Sequence, residues 1–236
     1  MSREKVFKFK QFCVVNDKTA MKVGTDGVLI GAWCDVYGVQ HVLDVGTGCG
    51  LIALMIAQRN SNAHILGIDI DDDSINEAVF NFEQSPWNDR ISGIMSDYND
   101  YNSSSLFDLI VSNPPFFNNG VEAPEHKRNQ ARHTSTLSFE QLITKSHDLL
   151  ADNGILAIIT PVEAENEIRR YAVKSNMSIK RLAKVVPVEG AAPKRLMLEL
   201  VKGDAITQNE EITICASDKT YTQQYRDLTG DFYLNM

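Results

Sequence analysis

Asn113-Pro114-Pro115-Phe116 is the stretch of this chain whose residue types could do chemistry most directly. A planar carboxamide offers one acceptor oxygen and two N–H donors, which suits an amine or amide carried on a flat group. An aromatic face three residues on can stack that group. The two prolines between them stiffen the turn, because their φ angles are fixed. Ahead of the turn, Phe107 to Ser112 is an apolar, β-branched run that reads as a buried strand ended by the prolines. Asn113 therefore stands at a strand's carboxyl end, where open α/β sheets handle ligands. A Pro-Pro turn capped by Asn for purely structural reasons would read the same way, so the upstream chain has to decide.

Upstream, three strands end in acids. His41 to Val45 runs into the turn Gly46-Thr47-Gly48-Cys49-Gly50, with Asp44 at its mouth, and Leu51 to Gln58 follows as an apolar helix. His64 to Asp69 is a second strand, and Ile91 to Met95 a third that ends at Ser96-Asp97. Gly48-x-Gly50-x-x-Ala53 satisfies a dinucleotide fingerprint, with Asp69 about twenty residues on, where a ribose would want it. Asp44 argues for a different ligand, since a carboxylate at the turn repels a pyrophosphate and suits an ammonium and a sulfonium. S-adenosylmethionine carries both, has no phosphates, and offers Asp69 a ribose diol. Ile70 can pack on its adenine and Asp97 can accept from the adenine amine.

The elements that hold these residues alternate strand and helix, which predicts a doubly wound, mainly parallel sheet. A helix is expected from the capping box Ser138-x-x-Gln141, ended by Asn153-Gly154, then a strand over Ile155 to Ile159 and a helix over Glu163 to Lys174. Ile179 to Val188 and Leu196 to Val201, joined by Gly190-Ala-Ala-Pro193, predict an antiparallel hairpin at one edge. The tail adds a strand (Glu211 to Ala216) and a polar helix near 222–228. Residues 5–23 predict a small β-hairpin turning at Asn16-Asp17. Thr25 or Asp26 can then cap an apolar helix, Val28 to Trp33.

At 236 residues, 43% of them hydrophobic and 23% charged, the chain has the composition of a globular protein. No apolar run reaches the ~20 residues of a membrane helix. The four scattered cysteines form no Cys-x-x-Cys pair, so they are expected to be reduced in a cytoplasmic protein, with no metal site. The formal net charge of −8 argues against nucleic acid as a partner, but its distribution argues back. Asp69 to Asp108 carries ten acids and one base, whereas Arg169 to Arg195 carries eight bases against Glu189 alone. Segregation of this kind can build one basic face on an acidic protein.

In order and spacing, Asp44-Val-Gly-Thr-Gly-Cys-Gly50, Gly67-Ile-Asp69, Ser96-Asp97 and Asn113-Pro-Pro-Phe116 resemble a class I S-adenosylmethionine-dependent methyltransferase. The tetrad is similar to those of enzymes that methylate planar nitrogen: adenine N6, guanine N2 or glutamine amide. Lys22-Val-Gly-Thr-Asp-Gly-Val-Leu-Ile-Gly-Ala-Trp33, Ala131-Arg-His-Thr134 and Leu228-Thr-Gly-Asp-Phe-Tyr-Leu234 resemble the bacterial tRNA1(Val) (adenine-37 N6)-methyltransferases over essentially the whole chain.

The resemblance implies a seven-stranded Rossmann-like sheet. Residues 1–34 would form an extension completing the cofactor pocket, and 35–236 the methyltransferase domain. Gly24, Thr25, Asp44, Gly46, Gly48, Gly50, Asp69, Ile70 and Asp97 would bind the cofactor, bordered by Asn113. Asn113, Pro114 and Phe116 would carry the reaction. tRNA is the implied partner of a monomer, met by Lys127, Arg128, Arg132, His133, Lys194 and Arg195. Many adenine N6 enzymes have Tyr where this chain has Phe116, which keeps guanine N2 open, and a protein glutamine substrate is a further alternative. No general base is required, so His133 is expected to sit in a polar, Gly/Pro-punctuated loop over 117–137 or contact substrate.

Overall fold

The computed structural model describes residues 6–19, 21–115 and 137–236. Two helical layers flank one sheet of eight strands. In chain order these are β3 (His41–Val45), β4 (His64–Asp69), β5 (Ile91–Met95), β6 (Phe107–Ser112), β7 (Leu150–Pro161), β8 (Met177–Val188), β9 (Arg195–Lys202) and β10 (Gln208–Cys215). Their spatial order is β10-β8-β9-β7-β6-β3-β4-β5. Strands β7, β6, β3, β4 and β5 are mutually parallel. The seven expected strands are joined by the C-terminal one, which lies parallel to β8. The antiparallel pair β8–β9 is therefore not the sheet's edge: β9 pairs with β7, and β10 covers β8.

Helices α1 (Thr25–Trp33), α2 (Leu51–Arg59), α3 (Asp72–Glu83) and α6 (Gln223–Thr229) supply one core, packed with Val42, Ile65, Leu109 and Ala157 of the sheet. Helices α4 (Phe139–Leu149) and α5 (Glu165–Lys174) cover the other face, against Leu43, Ile68, Ile110 and Leu156. Alternate residues of the central strands enter opposite cores, which is why their sequences read as continuous apolar runs. Among the described residues no helix is long and apolar enough to cross a membrane.

The caps explain most boundaries. The Asp71 side chain accepts from the Ser74 amide at 2.9 Å and starts α3, and the Ser138–Gln141 capping box starts α4 as expected. Helix α4 ends at Leu149 instead of Asn153-Gly154, because β7 begins at once with Leu150. Gly154 lies inside that strand, where a Cβ would come within 2.8 Å of the Phe107 carbonyl oxygen. Neither Thr25 nor Asp26 caps α1: the N-cap is Gly24, which makes no side-chain bond, and Asp26 is drawn into an ion pair with Arg195.

The N-terminal hairpin exists, as a two-stranded sheet of β1 (Val6–Lys8) and β2 (Cys13–Val15), but it turns at Phe9–Phe12. Asn16-Asp17 is not its turn, because the amide of Asp17 is taken by Glu77 of α3. The hairpin meets the far end of the chain through Lys10 N–H to the Phe232 carbonyl (2.8 Å), Lys10 Nζ to the Gly230 carbonyl (2.6 Å), and a Phe9–Tyr233 bridge.

Candidate active site

Strand order reverses between β3 and β6. The chain goes from β3 outward to β4 and β5, then returns to the other side of β3 with β6. Such a switch point opens a crevice at the strands' carboxyl ends. Val45 is paired with Ser112 there, so the glycine turn after β3 and the carboxamide after β6 leave neighbouring strands at the same level. Ser112 ties the two together by donating from Oγ to the Val45 carbonyl at 2.8 Å.

Asp44 is fully buried. Its Oδ2 accepts from Thr47 Oγ1 (2.7 Å) and the Ala53 amide (3.2 Å), folding the turn back onto β3 and the start of α2. Among the described residues its Oδ1 has no partner. Burial pushes the carboxyl up to about 7, against the Thr47 and Ala53 hydrogen bonds that lower it. A cation beside Oδ1 would favour the ionised form. Gly67 on β4 serves the same network, since a Cβ there would lie 2.8 Å from Thr47 Oγ1. Gly46, at φ 70°, faces open space, where an added Cβ would meet nothing within 4 Å.

Asp69 closes the turn from β4, accepting from the Gly48 amide at Oδ2 (2.9 Å) and the Asp71 amide at Oδ1 (3.0 Å). Each oxygen keeps lone-pair capacity for a hydroxyl. Burial raises its pKa, and the two backbone bonds oppose that rise. Half-buried Ile70 follows. Asp97, beyond β5, accepts at Oδ1 from the amide (2.8 Å) and side chain (3.1 Å) of Asn99.

On β6's side Asn113 is half-buried, Pro114 buried and Pro115 exposed. The Asn113 Nδ2 donates to Met21 Sδ at 3.4 Å, and its buried Oδ1 has no partner among the described residues. Phe116, Lys127, Arg128, Arg132 and His133 lie outside the described residues.

Gly24 and Thr25 reach the same end from the N-terminal side. Helix α1 runs alongside α2 in the same sense: a Cβ on Gly27 would lie 3.1 Å from Leu51 Cδ2, and one on Gly31 would lie 2.9 Å from Met55 Sδ. The start of α1 is thus level with the glycine turn. Arg195 pins it there, Nε to Asp26 Oδ2 at 2.7 Å.

Lys194 and Arg195 lie at this end too, because antiparallel pairing sets Arg195 against Pro161, the last residue of β7. Half of the basic run they close is matched by acids. Arg169 pairs with Glu165, Lys174 with Glu140, Arg181 with Glu199 and Glu210, and Arg195 with Asp26. Arg170 lies over the Tyr171 ring.

Sequence reasoning missed Glu77 and Asn81. Glu77 accepts from the amides of Asp17 (2.6 Å), Lys18 (2.9 Å) and Thr19 (3.1 Å) and from the Thr19 hydroxyl. Burial raises its carboxyl, but the Thr19 hydroxyl and these backbone donors outweigh that and leave it below the usual value. Asn81 holds both the N–H and C=O of Val15, and the Cys49 carbonyl in the glycine turn. A polar pair four apart on a helix with an acidic first turn reads as solvated surface, so no local signal marked it.

Comparison with known proteins places the whole chain in a family. The family model described as the methyltransferase small domain matches residues 34–171. A tRNA1(Val) (adenine(37)-N6)-methyltransferase of Parabacteroides distasonis is 43% identical over 233 residues, and one of Bacteroides thetaiotaomicron 38% over 231 residues, each match covering 98% of both chains. The chain belongs to the tRNA1(Val) (adenine(37)-N6)-methyltransferase family. A Vibrio parahaemolyticus tRNA1(Val) (adenine(37)-N6)-methyltransferase is 39% identical over 98% of this chain and 97% of its own.

Solved structures support the fold alone. A protein from Agrobacterium tumefaciens described as a predicted O-methyltransferase superposes with a TM-score of 0.68 at 16% identity, over 88% of this chain and 96% of that one. A TehB-like S-adenosylmethionine-dependent methyltransferase from Corynebacterium glutamicum gives 0.50 at 19% identity, over 78% and 90%. S-adenosylmethionine fits the crevice: the Asp44 Oδ1 acceptor is buried and unmatched among the described residues, Asp69 keeps acceptor capacity, and the space over Gly46 is open.

One consequence is measurable on cofactor binding alone. Asp69→Ala removes the acceptor of the Gly48 and Asp71 amides, and with it the oxygens that would meet the cofactor's ribose if Asp69 binds it, each a charge-assisted bond worth ~1.5–3 kcal/mol. Affinity for S-adenosylmethionine should fall at least about tenfold by titration calorimetry. Unchanged affinity in a folded mutant would remove Asp69 from the site.

Proposed function

We propose that this protein transfers the methyl group of S-adenosylmethionine to N6 of adenine 37 in tRNA1(Val). One observation carries the reading: the Asn113 carboxamide oxygen, buried and unmatched among the described residues, emerges beside an acid-lined glycine turn across the β3–β6 switch point. When bound, the cofactor supplies an electrophilic methyl on a sulfonium. The chain's part is to make a poor nucleophile attack it. The N6 lone pair is delocalised into the ring. Asn113 Oδ1 and the Pro114 carbonyl accept its two hydrogens and draw the nitrogen toward a pyramidal shape. Phe116 stacks the base. Positioning of this kind supplies up to ~7–11 kcal/mol in the best cases, and the product gives up its proton without a side-chain base.

A base inside a stacked loop cannot reach this position, so the adenine is turned out at a cost of a few kcal/mol. The acid-lined crevice repels phosphates, which leaves the RNA backbone to cations at its rim. Lys194 is exposed there, whereas the Arg195 charge is already partly matched by Asp26. Lys127, Arg128, Arg132 and His133 complete the proposed RNA-binding set.

Undermodified tRNA1(Val), incubated with protein and labelled cofactor and digested to nucleosides, should yield N6-methyladenosine. Label in N2-methylguanosine, or in glutamine of a protein substrate, would overturn the assignment.

A further inference from the structure

The segment between β2 and α1 touches both halves of the site. Thr19 Cγ2 lies 3.3 Å from where a Cβ on Gly48 would stand, so it rests directly on the cofactor turn. Met21 Sδ receives the Asn113 Nδ2 donor at 3.4 Å. The segment curls around Lys22, whose Nζ donates to the carbonyls of Asn16 (3.2 Å), Asp17 (3.0 Å) and Thr19 (2.8 Å). Its attachment to the sheet domain is the Glu77 carboxylate, only 6% exposed, with its three amide donors and one hydroxyl.

We propose that Glu77 is a positioning residue for methyl transfer: by gripping Asp17 to Thr19 it sets Thr19 against the glycine turn and Met21 against the catalytic carboxamide. The second contact matters because a carboxamide has a wrong way round. With Nδ2 held by Met21, Oδ1 is the atom left buried and unmatched among the described residues. An amine needs an acceptor there, and a reversed amide would present donors to a donor. This inference rests on the N6 reading for its Asn113 half only. The Thr19 half concerns cofactor binding.

Glu77→Gln keeps the size but turns one acceptor into a donor facing N–H groups. Calorimetry should show S-adenosylmethionine bound roughly tenfold more weakly, and kcat at saturating cofactor and tRNA roughly tenfold lower, with partial recovery in Glu77→Asp. Met21→Leu keeps the volume and removes the weak sulfur acceptor. Met21 is 43% exposed, so the melting temperature should stay while kcat falls a few-fold at unchanged cofactor Kd. A Glu77→Gln protein that melts lower yet shows wild-type Kd and kcat while folded would make Glu77 merely structural and overturn the proposal. If that variant does not fold, wild-type kcat in Met21→Leu overturns it instead. Wild-type protein that binds cofactor but leaves tRNA unmethylated would refute the proposed function, and the calorimetric comparison would still decide the Thr19 half.

Discussion

Asn113→Ala is expected to lower kcat about 10²–10³-fold, the usual cost of removing one preorganised polar group aimed at developing charge. The affinity for S-adenosylmethionine should stay within a few-fold. The side chain emerges after β6, while the glycine turn proposed to face the cofactor is held by bonds of Asp44, Thr47 and Asp69 in which Asn113 takes no part. Its loss leaves Ser112 bonded to Val45, so the strand pair below keeps its register. Single-turnover assays at saturating cofactor, with calorimetry beside them, separate the two effects. A mutant that binds cofactor poorly but turns over normally once saturated would place Asn113 on the cofactor instead of the target base.

Gly50→Ala should be the most damaging single-methyl change in the site. Gly50 sits at φ 82°, a region that costs an L-residue roughly 1–2 kcal/mol. A Cβ would also overlap Phe82 Cε1 and come within 2.8 Å of Cζ. Phe82 is 1% exposed and has no free space to yield into, so overpacking adds ~1–3 kcal/mol. Together these predict a melting temperature lower by about 5–15 °C for a chain of this length. Gly46→Ala is the control. It shares the positive φ but meets no atom, so it should show only the smaller, backbone part. Equal losses in the two mutants would mean that Phe82 is not the obstacle.

The strand-end acids, the glycine turn and the Asn-Pro-Pro stretch were legible because each depends on residues adjacent in sequence. What was not legible depends on distant partners. Asn16-Asp17 has the chemistry of a hairpin turn, yet Glu77, 60 positions on, captures the Asp17 amide, and the hairpin turns earlier. Asp26 has the chemistry of a helix cap, yet Arg195 claims it from 169 positions away. The basic run from Arg169 to Arg195 promised a charged face. Acids at 26, 140, 165, 199 and 210 neutralise half of it, and no local charge count contains them. Strand β10 shows the same limit: its sequence announces a strand, but only the packed sheet shows that it extends the hairpin's outer side.

The hairpin that leads into the Glu77-held segment is completed by residues some 220 positions downstream, through Lys10 to Gly230 and Phe232. At roughly 5–20 residues per second of synthesis, about 10–40 s separate the two halves of that contact on the ribosome. Until then the hairpin is held from the β2 side, by Asn81 to Val15, and its turn lacks its downstream partners. The Rossmann-like core and the Glu77-held segment can assemble from strands and helices already made, while the turn of the hairpin is steadied only later. A nascent chain interrupted before Phe232 would thus carry the sheet and the Glu77-held segment with a hairpin turn still missing its partners.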